Sequence, residues 1–278
     1  IEIRTPGLTL AARAWGPRDG QPVLGFHGWL DNAATRDRVA PELEGIRLVS
    51  VDFPGHGRSD HRQRGTSYHF VDLIPTIFDV ADALDWERFS ILAHSMGAAA
   101  STLAAGTEPE RIDRLALVDG LGPWTTQPPE TPEQLAKGIR ERRVIMQKSN
   151  RVFATLDEVA ETIAKLYGIT PEQAEPLLSR GVDKVEGGFS FTYDLSLRSA
   201  SMLRFTEEQI EHFFGRVDCP ILLIRPSNGW PVDPDDMKRR IGWLEDIEIA
   251  ELEGSHHVHL ERPGEIVRRV HPFLHRPQ

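Results

Sequence analysis

The chain has 278 residues and a formal net charge of −10, from 42 acidic and 32 basic side chains. This acidic balance disfavours nucleic acid and anionic membranes as general partners, because proteins that bind them present basic surfaces. Forty per cent of the residues are hydrophobic, which is typical of a globular protein with one large core, with or without an insertion.

Cysteine content and hydropathy bear on location. Cys219 is the only cysteine, which excludes an intrachain disulfide and fits a reducing compartment. No apolar run approaches the roughly 18 residues needed to span a bilayer, and no signal-peptide pattern opens the sequence. We therefore expect a cytoplasmic protein without a membrane span, and the sequence does not define its oligomeric state.

Short apolar strands alternate with helical segments in the first part of the chain. Residues 30–43 have roughly helical spacing, and residues 70–84 have a clear helical period with an expected bend at Pro75. This alternation predicts a mostly parallel sheet with right-handed crossovers. The predicted strands are 9–15, 23–26, 47–51, 89–93 and 114–118.

The pattern changes after residue 121, where prolines interrupt the chain and no further β–α unit is evident. Predicted helices cover 133–148, 156–167, 171–180 and 207–214, around an extended aromatic stretch at 187–193. Strands at 220–224 and 247–252 and a final helix at about 264–274 follow. We predict an α/β core of residues 1–121 and 216–278, with a mostly parallel twisted sheet flanked by helices, and a mainly helical cap inserted at 122–215.

The stretch around Ser95 is the most informative. An apolar run leads into His94-Ser95-Met96-Gly97, and a run of small residues follows. This predicts a buried strand, a sharp turn and a helix whose N-terminus favours developing negative charge. The pattern matches a nucleophile elbow, although Ala93 replaces the first glycine. The alternative is an ordinary strand–turn–helix crossover in which the serine caps the helix.

A base is expected late in the chain, within Gly254–Pro263. We predict His256, because it follows the Gly-Ser turn directly; His257 and His259 are the alternatives. A metal site formed by these three histidines is disfavoured, since no ligand motif such as H-E-x-x-H accompanies them. We therefore predict neither a metal nor a cofactor.

The acid that orients the base has two candidates. Asp119 directly follows an apolar strand, 24 residues after Ser95, and a carboxylate at that strand end can reach a late histidine. Asp233 lies far into the loop after strand 220–224, where Asn228 occupies the place in which an aspartate might be expected. We favour Asp119, and we expect Asp52 to order the glycine-rich turn that follows it.

Acyl transfer also requires donors for the oxyanion. By position, these are the backbone N–H groups of Met96, at the helix start, and of Trp29, after His27-Gly28. The cap aromatics suggest an apolar pocket. Predicted substrate contacts are His27, Trp124, Phe191 and Tyr193.

Four motifs in this order together resemble the α/β-hydrolase fold family: His27-Gly28 and residues 52–59, 94–98 and 254–263. Within it, residues 27–33, 121–123 and 255–260 look like the serine hydrolase-like proteins of the kraken type. The resemblance implies a hydrolase whose natural substrate is poorly defined. It also implies an acid after either of the two strands discussed.

The nucleophile narrows the chemistry. Haloalkane dehalogenases and epoxide hydrolases of this fold attack with aspartate, and Ser95 argues against both. We predict hydrolysis of carboxylic ester or thioester bonds in small to medium, apolar acyl substrates through an acyl-enzyme. The alternatives are C–C bond hydrolysis or perhydrolysis by the same residues, or a catalytically silent receptor or binding protein.

Overall fold

A computed structural model describes residues 1–275. Its strands are β1 (Glu2–Thr5), β2 (Leu8–Trp15), β3 (Gln21–Phe26), β4 (Ile46–Val51), β5 (Phe89–His94), β6 (Ile112–Val118), β7 (Val152–Phe153), β8 (Val182–Val185), β9 (Gly188–Phe191), β10 (Ile221–Asn228) and β11 (Ile247–Ser255). The helices are α1 (Leu73–Ala83), α2 (Met96–Thr107), α3 (Thr131–Ile145), α4 (Leu156–Tyr167), α5 (Pro171–Gly181), α6 (Glu207–Phe214), α7 (Pro234–Gly242), α8 (Val258–Glu261) and α9 (Pro263–Leu274).

The main sheet has eight strands in the order β1-β2-β4-β3-β5-β6-β10-β11. Pairings from β4 to β11 are parallel, whereas β2 is antiparallel to both β1 and β4. The predicted α/β fold with a mostly parallel sheet is therefore confirmed. The chain leaves β3 toward β4 on one side and later enters β5 on the other. The carboxyl ends of β3 and β5 thus form a switch point, where open α/β sheets bind ligands.

Apolar layers cover both faces of this sheet. On one face, α1, α2 and α6 bury side chains such as Ile77, Leu103 and Phe214 against the strands. On the other face, α9 contributes Val270 and Phe273. The strands of the centre are apolar on both sides because helices remove both faces from water.

Two helical predictions differ in detail. Residues 30–43 form only two short 3-10 helices, Ala33–Arg36 and Ala40–Glu42. Pro41 falls at the start of the second, where the missing N–H is tolerated. Pro75 likewise lies in the first turn of α1, and the helix continues through it to Ala83. Strand β1 and helix α7 were not predicted.

Residues 122–215 contain α3 to α6 and a separate antiparallel sheet of order β7-β9-β8. This segment has its own apolar cluster, in which Phe153, Ile163 and Leu177 pack with Leu260 of α8. Leu260 belongs to the short helix that follows β11, so this shared cluster packs residues 122–215 against the rest of the fold. Its assignment as a separate cap stays a prediction. No helix in residues 1–275 has the length and apolar character required to cross a membrane.

Candidate active site

Ser95 occupies the turn between β5 and α2. Its backbone has φ 51° and ψ −115°, a conformation that L-residues rarely adopt. The N–H of Ser95 donates to the carbonyl of Val118 at 3.0 Å, which ties the turn to β6. The loop after β3 lies directly alongside, since a Cβ added to Gly28 would stand 3.4 Å from the Ser95 Cβ. The serine hydroxyl is therefore presented at the switch point of the sheet.

His256 lies between Ser95 and Asp119. Its Nε2 is 2.8 Å from the Ser95 Oγ, and its Nδ1 is 2.5 Å from Oδ2 of Asp119. A carboxylate only accepts, so Nδ1 carries the proton and Nε2 is left to accept from the serine hydroxyl. This tautomer is the one required for general-base action on the hydroxyl. The structure thus brings the three predicted residues together, while their catalytic roles remain predictions.

Asp119 is held by a loop that was not predicted to contact it. Its Oδ2 also accepts from the backbone N–H of Trp230 at 2.7 Å. Gly229 permits this approach, because a Cβ there would lie 2.6 Å from Oδ1 of Asp119. The segment Asn228-Gly229-Trp230 therefore contributes a backbone donor and free space to the carboxylate.

Replacing Gly229 with alanine should lower kcat/KM for a simple ester by about 10-fold to 100-fold. The new methyl group displaces the Asp119 carboxylate, and small misplacements of catalytic groups carry losses of that size. Gly242→Ala is the matched control, because a Cβ at Gly242 meets no atom within 4 Å among the described residues. Equal activities for both variants and the unaltered protein would contradict this account of the loop.

The alternative acid, Asp233, has a different task. It caps α7, with its carboxylate accepting from the N–H groups of Asp235 at 2.8 Å and Asp236 at 3.3 Å. The side chain is exposed and makes no described contact with His256. Geometry therefore favours Asp119, in agreement with the preference stated from the sequence.

Buried histidines pack around His256. The Nε2–H of His94 donates to the backbone carbonyl of His256 at 2.9 Å. The His94 ring lies between 4 and 5.2 Å from the rings of His256, His257 and His259. Burial holds the pKa of His94 and of His259 well below the usual value, and lowers that of His257 to about 3. These rings are neutral at physiological pH, so His94 acts as a fixed donor.

Asp31, His94 and His259 offer side-chain atoms within 4.8 Å of one another and are the described residues that could hold a metal ion. Arg36 is fully buried beside them, and its positive charge opposes the protonation of both histidines. Burial raises the pKa of Asp31 to about 6, although Arg36 acts in the opposite direction. A cation here would meet a guanidinium that already balances the single carboxylate, which is unfavourable in a dry interior.

We expect acid to destabilise the fold. Burial lowers the pKa of His27, His56 and His257 to about 3 from 6.5. Between pH 6.5 and about 3, these histidines bind protons in the unfolded chain but not in the folded protein. The free energy of unfolding therefore falls as pH decreases over this range. Each histidine contributes up to about 1.4 kcal/mol per pH unit. Asp31, with its raised pKa, partly offsets the loss between about 6 and 3.8.

Urea unfolding at pH 7.5 and pH 5.5 measures this effect. A lower free energy of unfolding at pH 5.5, with an unchanged m-value, is the expected result. Equal stability at both pH values would mean that the folded protein protonates these histidines as readily as the unfolded chain does.

The predicted oxyanion donors lie on either side of the serine. Met96 is the first residue of α2, and Trp29 follows Gly28, which packs against Ser95. Within residues 1–275, neither backbone N–H has a hydrogen-bond acceptor. The indole Nε1 of Trp29 donates to the carbonyl of Leu197 at 2.9 Å, so the 195–198 segment steadies this loop.

The predicted substrate contacts fall in different places. His27 is fully buried: its Nδ1 donates to the carbonyl of Gly28 at 2.7 Å, and its Nε2 accepts from the N–H of Phe53 at 3.0 Å. The substrate role assigned to His27 is therefore wrong, because both ring nitrogens are occupied by the backbone. The histidine instead stabilises the loop after β3.

The three aromatic candidates have different surroundings. Phe191 and Tyr193 stack on one another with ring centroids 5.2 Å apart, and Phe191 also contacts the buried Phe153. Trp124 is 60% exposed and lies 5.7 Å from the Trp230 ring, which is itself 5.3 Å from the His256 ring. Trp124 and Trp230 thus border the site, whereas Phe191 belongs mainly to the packing of residues 122–215.

Asp52 connects residues 122–215 with the main sheet. Its fully buried carboxylate accepts from the N–H groups of Ala33 at 2.6 Å and Arg58 at 2.8 Å, which orders the following turn as expected. Arg180 of α5 adds a two-pronged ion pair, with Nη2 at 2.5 Å from Oδ2. No local pattern indicates this partner, which lies 128 residues away in the chain.

Comparison with known proteins shows similarity along nearly the whole chain. Residues 21–168 match the family described as alpha/beta hydrolase fold. A serine hydrolase-like protein from Danio rerio is 33% identical over 99% of this chain and 87% of its own length. The crystal structure of a hypothetical protein from Pseudomonas aeruginosa PAO1 has a TM-score of 0.94 and 40% identity, with 99% of each chain covered. A thioesterase domain from the curacin biosynthetic pathway shares the fold, with a TM-score of 0.85, 22% identity and coverage of 96% and 97%.

Proposed function

Since this chain is a hydrolase that belongs to the α/β-hydrolase fold family, we propose that it cleaves carboxylic esters or thioesters through an acyl-enzyme on Ser95. Membership confirms the resemblance inferred from the four motifs. The natural substrate is a small molecule with an apolar acyl group, and the cytoplasmic location stays a prediction.

The contact between His256 and Ser95 carries the proposal. A 2.8 Å approach of Nε2 to Oγ, with Nδ1 held by Asp119, is the arrangement in which an imidazole can remove the hydroxyl proton. In the first step the Oγ attacks the acyl carbonyl and its proton passes to Nε2. The imidazolium then protonates the departing alkoxide or thiolate, and an acyl-enzyme remains.

Water completes the cycle in the reverse sense. Nε2 accepts a proton from a water molecule as its oxygen attacks the acyl carbonyl, and the proton is returned to the Ser95 Oγ when the acid is released. The N–H groups of Met96 and Trp29 stabilise the oxyanion in both steps, and one such donor is typically worth on the order of 10²–10³ in rate. Charge assistance by the N-terminus of α2 acts at the same place.

Labelling with a fluorophosphonate probe tests the proposal. The probe should attach to Ser95, as peptide mass spectrometry would show, and the protein should hydrolyse p-nitrophenyl acetate and butyrate. An intact protein that is neither labelled at Ser95 nor active on these esters would favour the receptor alternative. Labelling at another serine would move the nucleophile.

A further inference from the structure

Exposed apolar side chains gather at the mouth of the candidate site. Trp124 and Trp230 are 60% and 47% exposed. The Trp230 ring lies 5.3 Å from the His256 ring, and the Trp124 ring lies 5.7 Å from the Trp230 ring. Large apolar groups exposed together usually mark a binding surface. We call the pair Trp124 and Trp230 the indole rim.

The positively charged side chain of Arg204 packs against Trp124. The guanidinium of Arg204 lies 5.5 Å from the centroid of Trp124, in a cation–π contact. Within residues 1–275, Arg204 forms no ion pair, and no carboxylate contributes to the shift of its pKa. Partial burial lowers the pKa of Arg204 from its usual value, yet a guanidinium stays charged at neutral pH. The protein therefore desolvates a positive charge beside the site without supplying its counter-charge.

The loop that carries Trp124 is firmly anchored. Buried Arg240 donates to the carbonyls of Leu121 at 3.0 Å and Pro123 at 2.9 Å, and it pairs with Glu207. The Thr125 hydroxyl donates to the same Glu207 carboxylate at 2.7 Å. Glu207 therefore links Arg240 to Thr125, and the backbone that carries Trp124 is preorganised. Preorganised groups bind with a smaller entropic penalty.

We propose that the mouth selects substrates with a terminal oxyanion, a carboxylate or a phosphate, separated from the scissile ester or thioester by an apolar segment. The anion pairs with Arg204, the apolar segment lies along the indole rim, and the acyl carbonyl reaches Ser95. Successive contacts of 5.3, 5.7 and 5.5 Å lead from His256 to the guanidinium, a path that suits a medium-length segment. This inference rests on the proposed function and names its substrate class.

The test uses 4-nitrophenyl esters of one dicarboxylic acid, suberic acid, with the far carboxyl group either free or methylated. The unaltered protein should prefer the free acid. Arg204→Gln should raise KM for the free acid and lower its kcat/KM by about tenfold, the usual effect of removing one hydrogen bond to a charged group. The methyl ester should change by less than about twofold, and Arg204→Lys should retain part of the preference.

Three comparisons complete the design. Arg13→Gln is the matched control, because Arg13 also lies over an indole, that of Trp15 on β2, and it should leave the preference intact. An ω-phosphono ester distinguishes phosphate from carboxylate as the better anion. Added salt should raise KM for the free acid alone, since it screens an ion pair that is only partly buried.

An unchanged ratio of free-acid to methyl-ester activity in Arg204→Gln, while both esters are hydrolysed, would overturn this inference and leave the proposed function standing. Absence of hydrolysis of either ester would instead count against the proposed function. Binding then decides the inference: monomethyl suberate should quench indole fluorescence, and Arg204→Gln should weaken that binding. Equal binding by both proteins would refute the anion site.

Discussion

Replacing Ser95 with alanine should abolish fluorophosphonate labelling and lower ester turnover by on the order of 10⁶-fold, the loss typical for a nucleophile of this type. The physical reason is that the Ser95 Oγ is the hydroxyl within hydrogen-bond reach of the His256 Nε2. Any remaining rate reflects the oxyanion donors and substrate binding, which act without a nucleophile. Measured kcat and mass-spectrometric labelling report the two losses separately.

Stability distinguishes this result from unfolding. The Ser95 hydroxyl has no described partner besides His256, and alanine has the same Cβ in the same backbone conformation, so the thermal midpoint should change little. Ser101→Ala is the matched control: it removes the hydroxyl that donates to the carbonyl of Gly97 within α2 and should preserve labelling. A large loss of stability in Ser95→Ala with normal labelling of Ser101→Ala would indicate a structural role for Ser95.

Local sequence predicted the part of the site that local structure determines. The run around Ser95 specifies a buried strand, a sharp turn and a helix in consecutive residues, and β5 and α2 follow it closely. His256 follows β11 directly for the same reason. Parallel strands end at one edge of the sheet, so residues at strand ends are brought together wherever they lie in the sequence.

Contacts between segments that are distant in the sequence could not be predicted in this way. Trp230 supports Asp119 through its N–H, a group that every residue except proline has, so its side chain carries no signal. Arg180 reaches Asp52 from α5, and the pairing depends on how residues 122–215 pack on the sheet. His27 failed for a related reason: residue type suggested a polar contact, but orientation decides whether a ring nitrogen faces the substrate or the backbone.

The choice between the two candidate acids leads to the second large effect. Asp119→Asn should lower kcat by on the order of 10⁴-fold, the size seen when such a carboxylate becomes an amide. The amide cannot stabilise the imidazolium that forms as His256 takes the serine proton. It can also turn its NH₂ group toward Nδ1, and this would place the ring proton on Nε2, where it blocks general-base action.

Asp233→Asn makes the same chemical change at the other candidate acid and is the comparison for Asp119→Asn. Asparagine caps helices about as well as aspartate, so α7 should keep its N-terminus and turnover should stay within about twofold. Steady-state kinetics on p-nitrophenyl butyrate ranks the two variants, and circular dichroism checks their folding. A larger loss for Asp233→Asn would transfer the role of the acid to Asp233.

Because only Asp119 is also bound by the N–H of Trp230, a strong effect at Asp119 together with a loss in Gly229→Ala would identify the 228–230 loop as part of the catalytic support.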